Sequence, residues 1–91
     1  MWYVYILKCA DKTLYTGIST DTGRRTEEHN ASGLGAKYTR SRRPVKLVYA
    51  RGYKSRSAAA REECRLKQLT RAEKLKIINS KNHGKESERD Q

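Results

Sequence analysis

Residues 2–7 read Trp-Tyr-Val-Tyr-Ile-Leu, six aromatic, β-branched or aliphatic side chains in succession. Successive residues of a strand point to opposite faces, so a run with so little polar alternation predicts a strand, over residues 2–8, buried on both sides. Ala10-Asp11-Lys12 supplies a short turn, and Thr13 to Ser19 reads as a second strand, so the chain opens as a hairpin. With 91 residues the chain is one domain, near the size at which a single core stabilises only modestly.

The rest of the chain supplies the cover. Thr20 and Asp21 are N-cap candidates for a helix over about 22–30, which carries Arg24, Arg25, Glu27, Glu28 and His29. Residues 31–44 form a glycine- and arginine-rich stretch, long for a loop in so small a domain, and such loops are functional or disordered. Pro44 introduces a third strand, Val45 to Tyr53, in which Val45, Leu47 and Tyr49 alternate with Lys46 and Val48. Ser55 or Ser57 caps a helix running through Ala58 to about Leu69, and Thr70 with Glu73 makes a capping box for a last helix to about Ile78. Leu66, Leu69, Leu75 and Ile78 are the expected core contacts of these helices. The order β-β-α-β-α-α predicts an α+β fold, a three-stranded, mainly antiparallel sheet flanked by helices. The folded domain is expected over 1–79, with 80–91 a polar tail expected to be disordered.

The charge is high and unevenly placed. Lys and Arg number 21 against 10 Asp and Glu, a net +11, and no acid falls between Glu28 and Glu62. A field of one sign attracts polyanions through counterion release, so DNA is the expected partner, with RNA as an alternative. Charge for solubility alone is the plainer reading, and a membrane surface is disfavoured because no segment joins a wide apolar face to a basic one. Cys9 and Cys64 lack ligand spacing and are expected to be small buried thiols, neither zinc ligands nor a disulfide framework. No signal-peptide pattern and no stretch of membrane-spanning length is present, which predicts a cytoplasmic protein.

Two tyrosine triplets, Tyr3-Val4-Tyr5 and Tyr15-Thr16-Gly17, lie on the two hairpin strands, so Tyr5 and Tyr15 sit on neighbouring backbone. Arg25 and His29 are four apart and share a helix face. A phenol pair, a guanidinium and one carboxylate such as Glu63 suffice for phosphodiester cleavage. Arginine clamps phosphate oxygens, and one carboxylate holds Mg²⁺ together with substrate phosphate. Each residue also has an ordinary alternative: the tyrosines as strand aromatics, Arg25 as a surface charge, His29 as a partner of the helix dipole, one of Glu62 and Glu63 as a solvated acid.

On these residues the chain resembles GIY-YIG nuclease domains. Tyr3-Val4-Tyr5 stands for Gly-Ile-Tyr, with Tyr3 replacing the glycine, and Tyr15-Thr16-Gly17 stands for Tyr-Ile-Gly. The resemblance covers residues 2 to about 78 and is nearest to small stand-alone bacterial members. Those share the run Arg24 to Asn30, the segment Gly35 to Arg40 and the segment Arg43 to Val48. The resemblance implies a divalent-metal-dependent DNA endonuclease using Mg²⁺ or Mn²⁺, structure-selective or weakly sequence-specific and at home in DNA repair. It implies Tyr5 as general base, Tyr15 as positioner of water or phosphate, Arg25 as stabiliser of phosphoryl charge, His29 as aid to proton transfer, and Glu63 as metal ligand. Lys37, Tyr38, Arg40, Arg42 and Arg43 are the expected nucleic-acid contacts. A non-catalytic basic nucleic-acid-binding module on the same fold is the alternative, and a partner protein for targeting or catalysis is a further expectation.

Overall fold

A computed structural model describes residues 1–31, 39 and 41–79; the expected tail and part of the glycine-rich stretch lie outside the described residues. Strand β1 (Trp2–Lys8) pairs with β2 (Leu14–Ser19), helix α1 (Thr22–Ala31) follows, then β3 (Lys46–Tyr53) and α2 (Arg56–Lys67). Residues 71–79 form a further helix, α3. The sheet order is β2-β1-β3 with both pairings antiparallel, so the most apolar strand is the central one.

Alternation divides β1 between two cores. Val4 and Ile6 pack with Tyr49, Ala59, Leu66 and Ile78 beneath α2 and α3. Tyr5, Leu7 and Cys9 pack with Val45 and, at the margin, Tyr15, Leu47 and Ala50. Val4, Ile6 and Leu7 are fully buried, as a strand without polar alternation predicts; burial of each contributes about 1.5–3 kcal/mol.

Local chemistry sets the boundaries. The Thr13 backbone N–H and hydroxyl donate to Asp11 Oδ1 at 3.1 and 2.6 Å, closing the hairpin around Lys12, whose φ of 74° is left-handed. The Arg24 N–H donates to Asp21 Oδ1 at 3.0 Å, so Asp21 caps α1. Ser55 caps α2, its Oγ accepting from the Ala58 N–H at 3.1 Å. Thr70 and Glu73 make both arms of the capping box, at 2.8 and 3.2 Å.

Four expectations change. Strand β3 does not alternate cleanly: Ile6 pairs with Tyr49 but Leu7 with Leu47, a bulge at Val48 that turns Tyr49 into one core and Leu47 into the other. Helix α2 ends at Lys67, short of Leu69, with Gln68 as its C-cap. Leu75 is half-buried, and Ile77 joins the core beside Leu69. Cys64 is exposed rather than buried, because the inward face of α2 is taken by Ala59 and Leu66; Cys9 is buried as expected.

Candidate active site

The spacing of the second triplet has a steric cause. Gly17 lies directly across β1 from Tyr5, and Tyr15 pairs with Leu7, so both phenols share one face. The Tyr5 ring lies over Gly17: a Cβ there would stand 2.7 Å from the Tyr5 hydroxyl oxygen and 2.9 Å from Cζ. Only glycine leaves room for the phenol to extend above edge strand β2. The Tyr5 and Tyr15 ring centroids are 6.4 Å apart.

Helix α1 brings the next group. His29 is 1% exposed, its ring centroid 5.2 Å from that of Tyr15. Its Nε2 lies 3.3 Å from the Tyr5 hydroxyl and its Nδ1 lies 2.7 Å from Thr39 Oγ1. Its neighbour Asn30 moors the helix: Asn30 Nδ2 donates to the Val45 carbonyl at 3.0 Å, and the Val45 N–H donates to Asn30 Oδ1 at 2.7 Å. This two-point clamp fixes the end of α1 to the start of β3 and so sets the imidazole over the sheet.

Arg25, one turn earlier on α1, donates from Nη1 to Glu28 at 2.9 Å, and its positive charge acts on the Tyr5 hydroxyl. Of the adjacent acids on α2, Glu62 is gripped by Arg65, with Nε donating to Oε1 at 2.8 Å and Nη2 to Oε2. That guanidinium holds the Glu62 carboxyl below its usual range. Among the described residues Glu63 pairs with the flexible Lys67 ammonium, at 3.3 Å, and its charge acts on the Tyr5 hydroxyl. Helix α2 lies against β2, the strand over which that hydroxyl sits. The fold thus gathers Tyr5, Tyr15, Arg25 and His29 and brings Glu63 within electrostatic range of them.

The electrostatics follow from burial. Burial, with Tyr15 and Glu63 adding and Arg25 opposing, pushes the Tyr5 phenol up to about 12. It is protonated at neutral pH. Burial and then the Arg25 charge push His29 below its ordinary value, against a smaller opposing pull from Glu28, so its imidazole is neutral.

Among the expected nucleic-acid contacts, Lys37, Tyr38 and Arg40 lie outside the described residues. Arg42 pairs with Asp11 at 3.0 Å and Arg43 Nη1 donates to the Asn30 carbonyl at 3.4 Å, so both brace the fold. A cavity of about 230 Å³ between the hairpin turn and α3, lined by Thr13, Leu14, Arg71 and Lys74, contains none of the clustered residues. Thr39 and Asn30 were assigned no role from sequence. Asn30 stands next to His29 in a recognisable run, but nothing local shows that its side chain replaces a backbone partner of Val45. Thr39 is fully buried, which a polar loop segment does not announce.

The three-stranded sheet flanked by helices is shared with known proteins. The GIY-YIG catalytic domain matches residues 1–76, and the chain belongs to the GIY-YIG family. It is similar to a UPF0213 protein of Desulfotalea psychrophila, 51% identical over 83 residues, 91% of this chain and 76% of the relative. It is likewise similar to a UPF0213 protein of Halobacterium salinarum, 54% identical over 74 residues, 81% of this chain and 95% of the relative. Among solved structures it resembles the UPF0213 protein BH0048 of Bacillus halodurans, with a TM-score of 0.57 and 46% identity over 89% of this chain and 86% of that one. It also resembles EF2693 of E. faecalis, with a TM-score of 0.59 and 40% identity over 88% of this chain and 84% of that one. The family implies nucleic-acid binding and, in general, use of divalent metal ions. Among the described residues no helix is long and apolar enough to cross a membrane.

Proposed function

We propose that this protein is a divalent-metal-dependent endonuclease that hydrolyses phosphodiester bonds of DNA by in-line attack of water. One observation carries the reading: the hydroxyl of Tyr5 lies 3.3 Å from His29 Nε2 and feels the charges of Arg25 and Glu63, groups from two different helices. A surface aromatic has no such company.

The protonated phenol suggests how the groups divide the work. Water held against the Tyr5 oxygen gives up a proton as the phenol passes its own to His29 Nε2, so Tyr5 ends neutral and the imidazole takes the charge. A free phenolate is never required, which suits a phenol raised to about 12. The water oxygen bonds to phosphorus while the bond to the 3′ oxygen breaks. Arg25 donates to the phosphoryl oxygens on which charge spreads, and Tyr15 positions the water or the phosphate.

Glu63 fits a hard divalent ion. It is a partly exposed carboxylate whose ion-pair partner among the described residues is the flexible Lys67. No group of three or more His, Cys, Asp or Glu ligands occurs among the described residues, which suits Mg²⁺ or Mn²⁺, ions that draw most ligands from water and phosphate. Such an ion, when bound, supplies Lewis-acid polarisation and eases departure of the 3′ oxygen. Selectivity for DNA structure rather than sequence, a place in DNA repair and a cytoplasmic setting complete the reading; the two free cysteines suit a reducing compartment.

The test is incubation of the protein with branched, flapped and single-stranded DNA, and with RNA, in Mg²⁺ or Mn²⁺. Cleavage is expected, and Tyr5→Phe should reduce it by about 10²–10⁴-fold. Binding without cleavage of any substrate in either metal would sink the enzyme and leave a binding module.

A further inference from the structure

We propose that Thr39 is a positioning residue that fixes the tautomer of His29, holding the proton on Nδ1 so that Nε2 stays open to receive the Tyr5 proton. The inference rests on the reading of His29 as proton acceptor and assigns the group that makes it one.

Three side chains lie in line: Tyr5, His29 and Thr39, which are 1%, 1% and 0% exposed. The distances are 3.3 Å from the Tyr5 hydroxyl to Nε2 and 2.7 Å from Nδ1 to Thr39 Oγ1. A neutral imidazole carries one N–H, so one ring nitrogen donates and the other accepts. Arg25 decides which. The Arg25 guanidinium, whose positive charge acts on the Tyr5 hydroxyl, attracts the oxygen end of the O–H dipole and repels its hydrogen. The single phenol proton then points toward Nε2, which must accept. Nδ1 therefore bears hydrogen and donates to Thr39 Oγ1. Were the ring in its other tautomer, Nε2–H would point at the phenol and the phenol proton would lose that acceptor in a buried site, a loss that folding avoids. The logic is that of a carboxylate holding a catalytic imidazole in one tautomer, with a neutral hydroxyl in its place.

The experiment is ¹⁵N NMR of the imidazole in the full chain at neutral pH, without metal or DNA, on the wild type, Thr39→Val and Thr39→Ser. The wild type is expected to show Nε2 unprotonated and Nδ1 protonated. Thr39→Val, which removes the hydroxyl oxygen that faces Nδ1, is expected to shift the population toward Nε2–H. In cleavage assays it should lower kcat by about 10²-fold with KM little changed, as loss of a positioning partner does. Thr39→Ser, which keeps the oxygen, should restore both. Protonated Nε2 in the wild type overturns the proposal, and that spectrum needs no folded variant. So does a Thr39→Val spectrum that retains the wild-type tautomer. Because the spectrum is read without substrate, failure of the nuclease reading would show separately, as the expected tautomer in a protein that cleaves nothing.

Discussion

Replacing Gly17 with alanine would put a methyl group where the Tyr5 phenol now lies. The new Cβ would stand 2.7 Å from the hydroxyl oxygen, 2.9 Å from Cζ and 3.3 Å from Tyr15 Cε2, whereas ordinary contact begins at 3.4 Å, so the phenol must retreat by about 0.7 Å. It has little room to do so, being 1% exposed with His29 and Tyr15 against it. The Gly17 φ is not positive, so the backbone itself accepts alanine. Alanine would gain about 0.4–1 kcal/mol by restricting the unfolded chain, while overpacking costs about 1–3 kcal/mol. A net destabilisation of about 1–2 kcal/mol is expected from urea unfolding of Gly17→Ala. Cleavage should fall by about 10²-fold, the effect of an ångström-scale misplacement at a reacting centre. Tyr5→Leu removes the hydroxyl and Cζ, so in that background the same alanine should become neutral or mildly stabilising. A Gly17→Ala protein as stable and active as the wild type would refute the argument. A penalty that persists undiminished beside Tyr5→Leu would also refute it, since the clash would then lie elsewhere.

Glu63→Ala should abolish metal-dependent cleavage with little change in unfolding, while Glu62→Ala should leave cleavage intact and cost at most about 1 kcal/mol, the usual worth of a partly exposed ion pair; equal losses from both would refute the distinction between the adjacent acids. The direction of the His29 shift fixes the acid limb of activity. Because burial lowers its pKa, the neutral form persists below pH 6.5, and cleavage should decline only at a lower pH than an ordinary imidazole would dictate. The unfolded chain takes up that proton first, so stability is fully present above about pH 6.5 and is lost as pH falls toward the lowered native value; His29→Gln should flatten this dependence in pH-resolved denaturation. Thr16 Oγ1 is buried on the Ile6 face of β2 with no hydrogen-bond partner among the described residues, so Thr16→Val should stabilise the protein by about 1 kcal/mol in denaturant unfolding, and destabilisation would show that a partner exists.

The sequence by itself determined what depends on near neighbours along the chain. The central strand was legible from six apolar residues in succession, α2 from the cap offered by Ser55, and α3 from the Thr70–Glu73 pair, because propensity, alternation and capping act within a turn or two. The triplet spacing likewise placed Tyr5 and Tyr15 on adjacent strands. What only the tertiary structure decided lies where side chains far apart in sequence compete for one place. The bulge at Val48 set which core receives Tyr49, and Asn30 found a backbone partner fifteen residues away. The meeting of Tyr5 with His29 and of His29 with Thr39 belongs to the same class. The physical reason is range: caps and pleats are fixed by local geometry, whereas the partner of a buried hydrogen-bonding group is fixed by which segments the two cores press together.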